Sequence, residues 1–548
     1  MTPSPPAGAG PVTSTGPTTL VLVCDDLSVG LDLGSLTRRL EVGVGVAVET
    51  IADLCGHPSE VGCVAAADAT RLVLAVCRPL DGDIEWQRRM RERGIDPLAV
   101  SVVPFGSTDA AGRKSESTIA TATLRIRAGI ARALASDGAS AADGAGPVVP
   151  RLATFAQRIS RRGLLTVPPI RYQPVATLDA GRCAAASGCR ICADSCPLGA
   201  LSVTPGTAVI DRGRCEACGL CAAECPVDAI DVPGHTREQL AAEIITLLTA
   251  DPGAPIPPRA LLFRGRCADS TSGEGAAGAW LPVDVPCAGA LTAALLLGSL
   301  ALGASAVAAV GCGTGCRFNG HERIENTVRY CRALLDTLGI PSDRVRLLDA
   351  RTALPEELIP GGADTFPPEP PHEPDERSEL LSSAAPAILA LAAAAGVAAA
   401  EPLTHPHSPL GLVDVDRAAC TACGACAWAC PTGALTFDGD GGDIALHFDP
   451  AQCPGCGLCT PHCPEFARDA ITVRATVDLG ALRAGRQTLI SDRASLCERC
   501  GEPVGPSALL ARLEEQLRDS ANPAVIAAIT RRCVACRGFG APVSRPPA

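Results

Sequence analysis

The sequence predicts a multi-domain chain: α/β units with parallel sheets in the N-terminal and central regions, and two smaller cysteine-rich α+β units. Three observations carry this expectation. Short β-branched runs alternate with helical patterns near the start and again in the middle, as expected of parallel α/β layers. One cysteine pattern is repeated at 183–230 and 420–463. Stretches rich in Pro, Gly and Ala separate the pieces, and 548 residues are too many for a single core.

Residues 1–17 are mostly Pro, Gly, Ser and Thr and are expected to form a disordered tail. The first α/β domain spans 18–136. "TTLVLVCDD", "VGVAVETIADLC", "RLVLAVCRP" and "LAVSVVPF" read as its strands, "DIEWQRRMRERG" (83–94) as one helix and 116–136 as the closing one. A linker at 137–175 leads to the first cysteine repeat at 176–236, then a connecting helix at 237–257. The central α/β domain is placed at 258–352, a Pro/Ala-rich linker at 353–410, the second repeat at 411–475 and a four-cysteine region at 476–548. Within the linker "AAPAILALAAAAGVAAA" (384–400) reads as a water-soluble helix, because it is short, alanine-dominated and interrupted by Pro386.

Composition narrows the function. The net charge of -12, with 59 acidic and 47 basic residues, argues against nucleic-acid binding. The start "MTPSPPAGAG" has no basic and apolar leader, so the 29 cysteines are read as reduced cytoplasmic thiols that bind metal. The internal "SRRGLL" (160–165) is read as linker.

In the second repeat "CTACGACAWACP" and "CPGCGLCTPHCP" each spell C-x2-C-x2-C-x3-C-P. Three thiolates on one tight loop can take three corners of an iron–sulfur cubane, while the fourth, before proline, points to the neighbouring one. Cys420, Cys423, Cys426 and Cys463 form one expected [4Fe-4S] ligand set, called set 3 below. Cys453, Cys456, Cys459 and Cys430 form another, set 4. The first repeat supplies Cys215, Cys218, Cys221 and Cys196 as set 2. Its set 1 departs from the motif: Ala186 stands where a cysteine belongs, so Cys183 must reach round a longer loop to join Cys189, Cys192 and Cys225. Zinc knuckles are the alternative, disfavoured by the crossed C-P pattern. Each repeat resembles the bacterial two-cluster ferredoxins, which implies a ferredoxin-like dicluster fold.

"VPCAGALTAALLLGSLALGASAVAAVGCGTGC" (285–316) has no charged side chain and is long enough to suggest a membrane span. It divides instead into a cysteine loop, a buried helix of about 13 residues, too short to span, and a buried strand of the kind found in parallel sheets. No membrane span is expected. "PCAG" (286–289), "GCGTGC" (311–316) and "LGIPSDRVRLLDA" (338–350) resemble the delta subunit that links methanogen-type [NiFe]-hydrogenase to heterodisulfide reductase. That resemblance implies a [2Fe-2S] centre on Cys267, Cys287, Cys312 and Cys316. Cys331 lies inside a helical pattern and reads as a core residue.

"LCGHPSEV", "RLVLAVCRP" and "RERGIDPLAVSVV" resemble the start of the heterodisulfide reductase A subunit. Cys24, Cys55 and Cys77 at strand ends, with Cys63, are read as a further [4Fe-4S]-type set, with buried structural thiols as the alternative. At the other end "LCERCGEP" and "RRCVACRG" supply Cys497, Cys500, Cys533 and Cys536, read as a four-cysteine zinc site with a rubredoxin-like iron as the alternative.

No G-x-G-x-x-G follows a strand, so no flavin or NAD site is expected, and no P-loop, H-E-x-x-H or nucleophile elbow is present. The eight histidines form no ligand pattern and read as surface or loop residues. The expected function is an electron-transfer subunit without a substrate site of its own. Its expected partners are a dehydrogenase of hydrogenase or formate dehydrogenase type and a heterodisulfide reductase-like flavoprotein. The alternatives are an iron–sulfur redox sensor and a reductase with a substrate-open cluster.

Overall fold

The structure, a computed structural model, describes residues 19–29, 31–40, 46–55, 71–77, 100–105, 116–136, 148–152, 170–251, 258–265, 280–313, 316, 318–349, 373–439, 442–519 and 521–537. The expected tail, the helix at 83–94, Cys63 and Cys267 lie outside the described residues. Two compact units divide the chain, one of residues 1–174, 233–259 and 270–281, the other of 175–232, 260–269 and 282–548.

In the first unit β1 (Thr19–Cys24), β2 (Val46–Ile51), β3 (Arg71–Val76) and β4 (Val100–Pro104) form a parallel sheet in the order β2-β1-β3-β4. Strand β1 is buried throughout, as a central parallel strand requires. Helices α1 (Leu33–Leu40) and α2 (Glu116–Leu134) pack in the same unit, and α2 runs close to the sheet. A Cβ on Gly129 would lie 2.7 Å from Val103 Cγ2, so glycine sets that approach. The hairpin β5 (Val148–Leu152) and β6 (Ile170–Pro174) follows. The connecting segment is helical as α3 (Arg237–Thr249), opened by a capping box in which Thr236 and Gln239 satisfy each other's backbone N–H. It packs on α2 through a half-buried Arg132–Glu243 ion pair at 2.5 Å.

The second unit begins with the first cysteine repeat, a pair of antiparallel ribbons. Strand β7 (Thr177–Leu178) pairs with β10 (Ile230–Asp231), and β8 (Leu201–Thr204) with β9 (Thr207–Ile210). The central domain follows as a sheet of β11 (Ala260–Gly265), β12 (Trp280–Val285), β13 (Val307–Gly311) and β14 (Val345–Asp349) in the order β12-β11-β13-β14; β11, β13 and β14 are parallel. The uncharged run 285–316 resolves into the Cys287 turn, helix α4 (Ala293–Ala301) and β13. Helix α5 (Gly320–Thr337) comes next, with Cys331 fully buried on it. Among the described residues no helix is long and apolar enough to cross a membrane.

Part of the stretch expected to be linker is helical. Helices α6 (Pro374–Ser382) and α7 (Ala384–Ala394) pack against α4. A Cβ on Gly298 would lie 2.0 Å from the Leu380 carbonyl oxygen, so α6 and α4 meet backbone to backbone at a glycine.

The second repeat pairs β15 (Leu403–Thr404) with β20 (Thr476–Val477), β16 (Leu412–Val415) with β19 (Ile471–Arg474), and β17 (Leu435–Asp438) with β18 (Asp443–Phe448). The C-terminal region then adds β21 (Gln487–Leu496) to β18, and β22 (Pro503–Pro506) beyond it. Its last helices are α8 (Ser507–Leu517) and α9 (Pro523–Arg531).

Candidate metal centres

The first C-x-x-C loop in each of sets 2, 3 and 4 curls through one left-handed residue. Ala217 (φ 48°) and Ala422 (φ 50°) take this conformation in sets 2 and 3, and Gly455 (φ 71°) in set 4. For a residue with a Cβ that conformation costs roughly 1–2 kcal/mol. It turns the Ala217 N–H toward Cys215 Sγ (3.5 Å) and the Ala422 N–H toward Cys420 Sγ (3.4 Å). Three of the cysteines before proline receive N–H donors from residues four or five positions on. Ala200 donates to Cys196 at 3.3 Å, Ala229 to Cys225 at 3.2 Å and Leu435 to Cys430 at 3.4 Å.

The thiols within each loop oppose one another's ionisation. Burial, and then the charges of Cys218, Cys215 and Cys196, push the Cys221 thiol up. Cys426 is pushed up to about 12 by burial and by Cys420 and Cys423. Cys453 reaches about 12, through burial first and with Cys456, Cys459 and Cys430 adding to it. Buried thiols that oppose one another's ionisation need a cationic centre to become thiolates together, so these residues fit an iron–sulfur core.

Set 1 handles its longer spacing with one structural device. Residues 184–187 form a single 3-10 turn after Cys183, closed by Gly188 in the left-handed region (φ 77°). Cys183 is thereby returned to its partners: Cys192 is pushed up to about 11 by burial, then by Cys189, Cys225 and Cys183.

In the central domain Cys287 caps a short turn after β12, while Cys312 and Cys316 lie between β13 and α5. Gly320 opens α5 against both loops: a Cβ there would lie 2.5 Å from Cys287 Sγ and 3.6 Å from Cys316 Sγ. Burial raises the Cys316 thiol, but donors outweigh it, namely the Cys312 thiol and the backbone N–H groups of Phe318, His321 and Gly320. The net effect holds Cys316 below the usual thiol value. Sequence reasoning passed over His321 as a surface or loop residue. It stands in the first turn of α5, its ring lies against Gly311, and its Nδ1 is buried without a hydrogen-bond partner among the described residues. A thiol cradle closed by a glycine, with an orphaned ring nitrogen beside it, fits a bound centre.

The two ends of the chain hold tighter groups. Cys24, Cys55 and Cys77 bring their sulfurs within 4.8 Å of one another at the ends of β1 and β3 and in the turn after β2. Cys24 and Cys55 Sγ are 3.2 Å apart. At the C-terminus Cys497, Cys500, Cys533 and Cys536 likewise lie within 4.8 Å, with Cys500 3.5 Å from Cys533 and 3.6 Å from Cys536. Zn–S bonds of 2.3 Å put the sulfurs of a tetrahedral ion about 3.8 Å apart, so this group fits a single ion. The backbone N–H of Cys533 leads the donors that hold the Cys497 thiol down to about 6.

Residues 175–229 and 419–467 both match the family model of the 4Fe-4S dicluster domain. Two dicluster domains stand in this chain. Residues 277–359 match the model of the methyl-viologen-reducing hydrogenase delta subunit, which makes the central domain delta-subunit-like. That match includes Cys287, Cys312 and Cys316 and begins after Cys267. No curated protein matches the chain.

Proposed function

We propose that the chain is an iron–sulfur electron-transfer subunit that relays electrons between a dehydrogenase of hydrogenase or formate dehydrogenase type and a heterodisulfide reductase-like flavoprotein. One observation carries this reading: two dicluster domains share a compact unit with a delta-subunit-like domain. In this reading sets 1 to 4 each hold a [4Fe-4S] centre, and Cys267, Cys287, Cys312 and Cys316 hold a [2Fe-2S] centre. Cys24, Cys55, Cys63 and Cys77 hold a further [4Fe-4S] centre in a domain akin to the start of the heterodisulfide reductase A subunit. The C-terminal cysteines hold structural zinc.

Iron–sulfur centres supply one-electron oxidation and reduction. The protein's part is to fix their positions and tune their potentials: N–H donors from Ala217, Ala422, Ala200, Ala229 and Leu435 stabilise added negative charge on the cysteine sulfurs. The test is anaerobic purification from the native cells at low salt, with iron and sulfide counted and every bound protein identified. The expected result is a brown protein carrying at least about 18 irons per chain together with a flavoprotein and a dehydrogenase. A colourless, iron-free anaerobic preparation would overturn the reading.

A further inference from the structure

The sequence identifies ligand sets but does not say which are neighbours. Three junctions within the second unit do. Cys218 of set 2 shares a buried cluster with Cys287 of the delta-like set through Leu220 and Phe318, with Cys316 packed against it. Gly219 makes that approach tight, since a Cβ there would lie 3.1 Å from Ala290 Cβ and 3.3 Å from Pro286 Cγ. An ion pair between Arg323 on α5 and Glu224, beside Cys225, ties the two domains together.

The second junction joins the two dicluster domains. A Cβ on Gly188, in the turn that carries Cys183 back to set 1, would lie 3.9 Å from His462 Cε1. His462 immediately precedes Cys463, and its Nδ1 is 2.8 Å from the Leu458 carbonyl oxygen. The His462 ring is thereby anchored at Leu458, between Cys456 and Cys459 of set 4, so Gly188 and the adjoining Cys189 of set 1 meet the set 4 loop. Inside the domains the short helix that carries Cys192 (Ile191–Asp194) packs on the one that carries Cys221 (Leu220–Glu224), and Cys420 and Cys426 pack against the buried cluster that holds Cys453 and Cys459, which places set 1 beside set 2 and set 4 beside set 3.

We infer that the five ligand sets of the second unit stand in single file, in the order delta-like set, set 2, set 1, set 4, set 3, and that the dicluster domains exchange electrons at the Gly188–His462 contact. This rests on the proposed electron-transfer function. It adds that the delta-like set and set 3 are the two terminals, so donor and acceptor proteins meet opposite ends. Each transfer oxidises one set by one electron and reduces its neighbour by one, with no bond made or broken. The outer electrons come from and go to the one-electron redox proteins at the terminals. The extra residues of the Cys183 loop acquire a purpose, since their turn forms the intermodule contact.

The test reads magnetic coupling between reduced centres by low-temperature EPR of the full chain, with one ligand at a time replaced. Cys459→Ser, which removes set 4, is expected to abolish the coupling of both set 1 and set 3. Cys426→Ser is expected to uncouple set 4 only, and Cys287→Ser set 2 only. Loss of set 1 coupling in Cys426→Ser, or its persistence in Cys459→Ser, overturns the order. If a substitution strips more iron than its own centre holds, the unmodified chain poised at stepped potentials answers instead: couplings must appear only between sets adjacent in the file. A chain without iron–sulfur signals would sink the functional proposal itself, whereas five centres coupled in another order would sink only this inference.

Discussion

Gly320→Ala is a one-methyl test of the delta-like site. The added carbon would sit 2.5 Å from Cys287 Sγ, whereas ordinary non-bonded separations are about 3.5–4.0 Å. Either the sulfur or the start of α5 must therefore retreat by about 1 Å. Little slack exists on the far side, because a Cβ on Gly289 would already lie 2.5 Å from Gly320 Cα. Metal sites tolerate ligand errors of only about 0.2 Å, so the displacement should prevent the two-iron centre from assembling. The helix itself should not suffer, since alanine is favoured over glycine in helices by up to about 1 kcal/mol. Anaerobic iron and sulfide counting with EPR measures the outcome. The expected variant loses about two irons per chain and the [2Fe-2S] signal, and it keeps the four-iron signals. Full iron content with an unchanged [2Fe-2S] spectrum would refute the placement of Cys287 at a centre.

Other substitutions probe separate parts of the argument. Gly298→Ala should lower the melting temperature, because overpacking against Leu380 costs about 1–3 kcal/mol and outweighs the helix gain; a more stable variant would mean that α6 does not rest on α4. Cys331→Ala should leave iron content unchanged and cost about 1 kcal/mol in stability, as a core thiol requires, and loss of iron would make it a ligand. Cys500→Ser should remove one zinc per chain by elemental analysis and loosen α8 and α9 in hydrogen exchange without touching iron, which a zinc-replete variant would contradict. Cys312→Ser should stop electron transfer between the partner proteins while the four-iron centres remain reducible by dithionite; unaltered transfer would exclude the delta-like set as a terminal.

The dicluster loops were legible because their chemistry is local: cysteine spacing, the proline and the following small residue all act within one loop. Small residues proved to be the N–H donors to Cys196 and Cys225. The parallel strands were legible from their continuous apolar runs. What escaped was tertiary. Nothing in "AAASG" says that Gly188 will face His462, and nothing in "CGLC" says that Gly219 will face Ala290. The cover over α4 escaped because "PPEPPHEPDERSE" (367–379) has the composition of a linker although α6 starts within it. Strand β21 escaped because its alternation is weak: it pairs along β18 with much of its length exposed. His321 carried only the faint signal of standing five residues after Cys316.

The close fit at Gly298 sets where the chain can be cut. The delta-subunit-like match ends at residue 359, yet the helices that shield α4 begin at Pro374. A fragment trimmed to the family's own borders would leave the apolar helix α4 without that cover. Such a surface drives self-association. Dissection of this protein therefore has to carry the segment through Ala394 along with the central domain: the piece that is recognisable by descent is smaller than the piece that can fold.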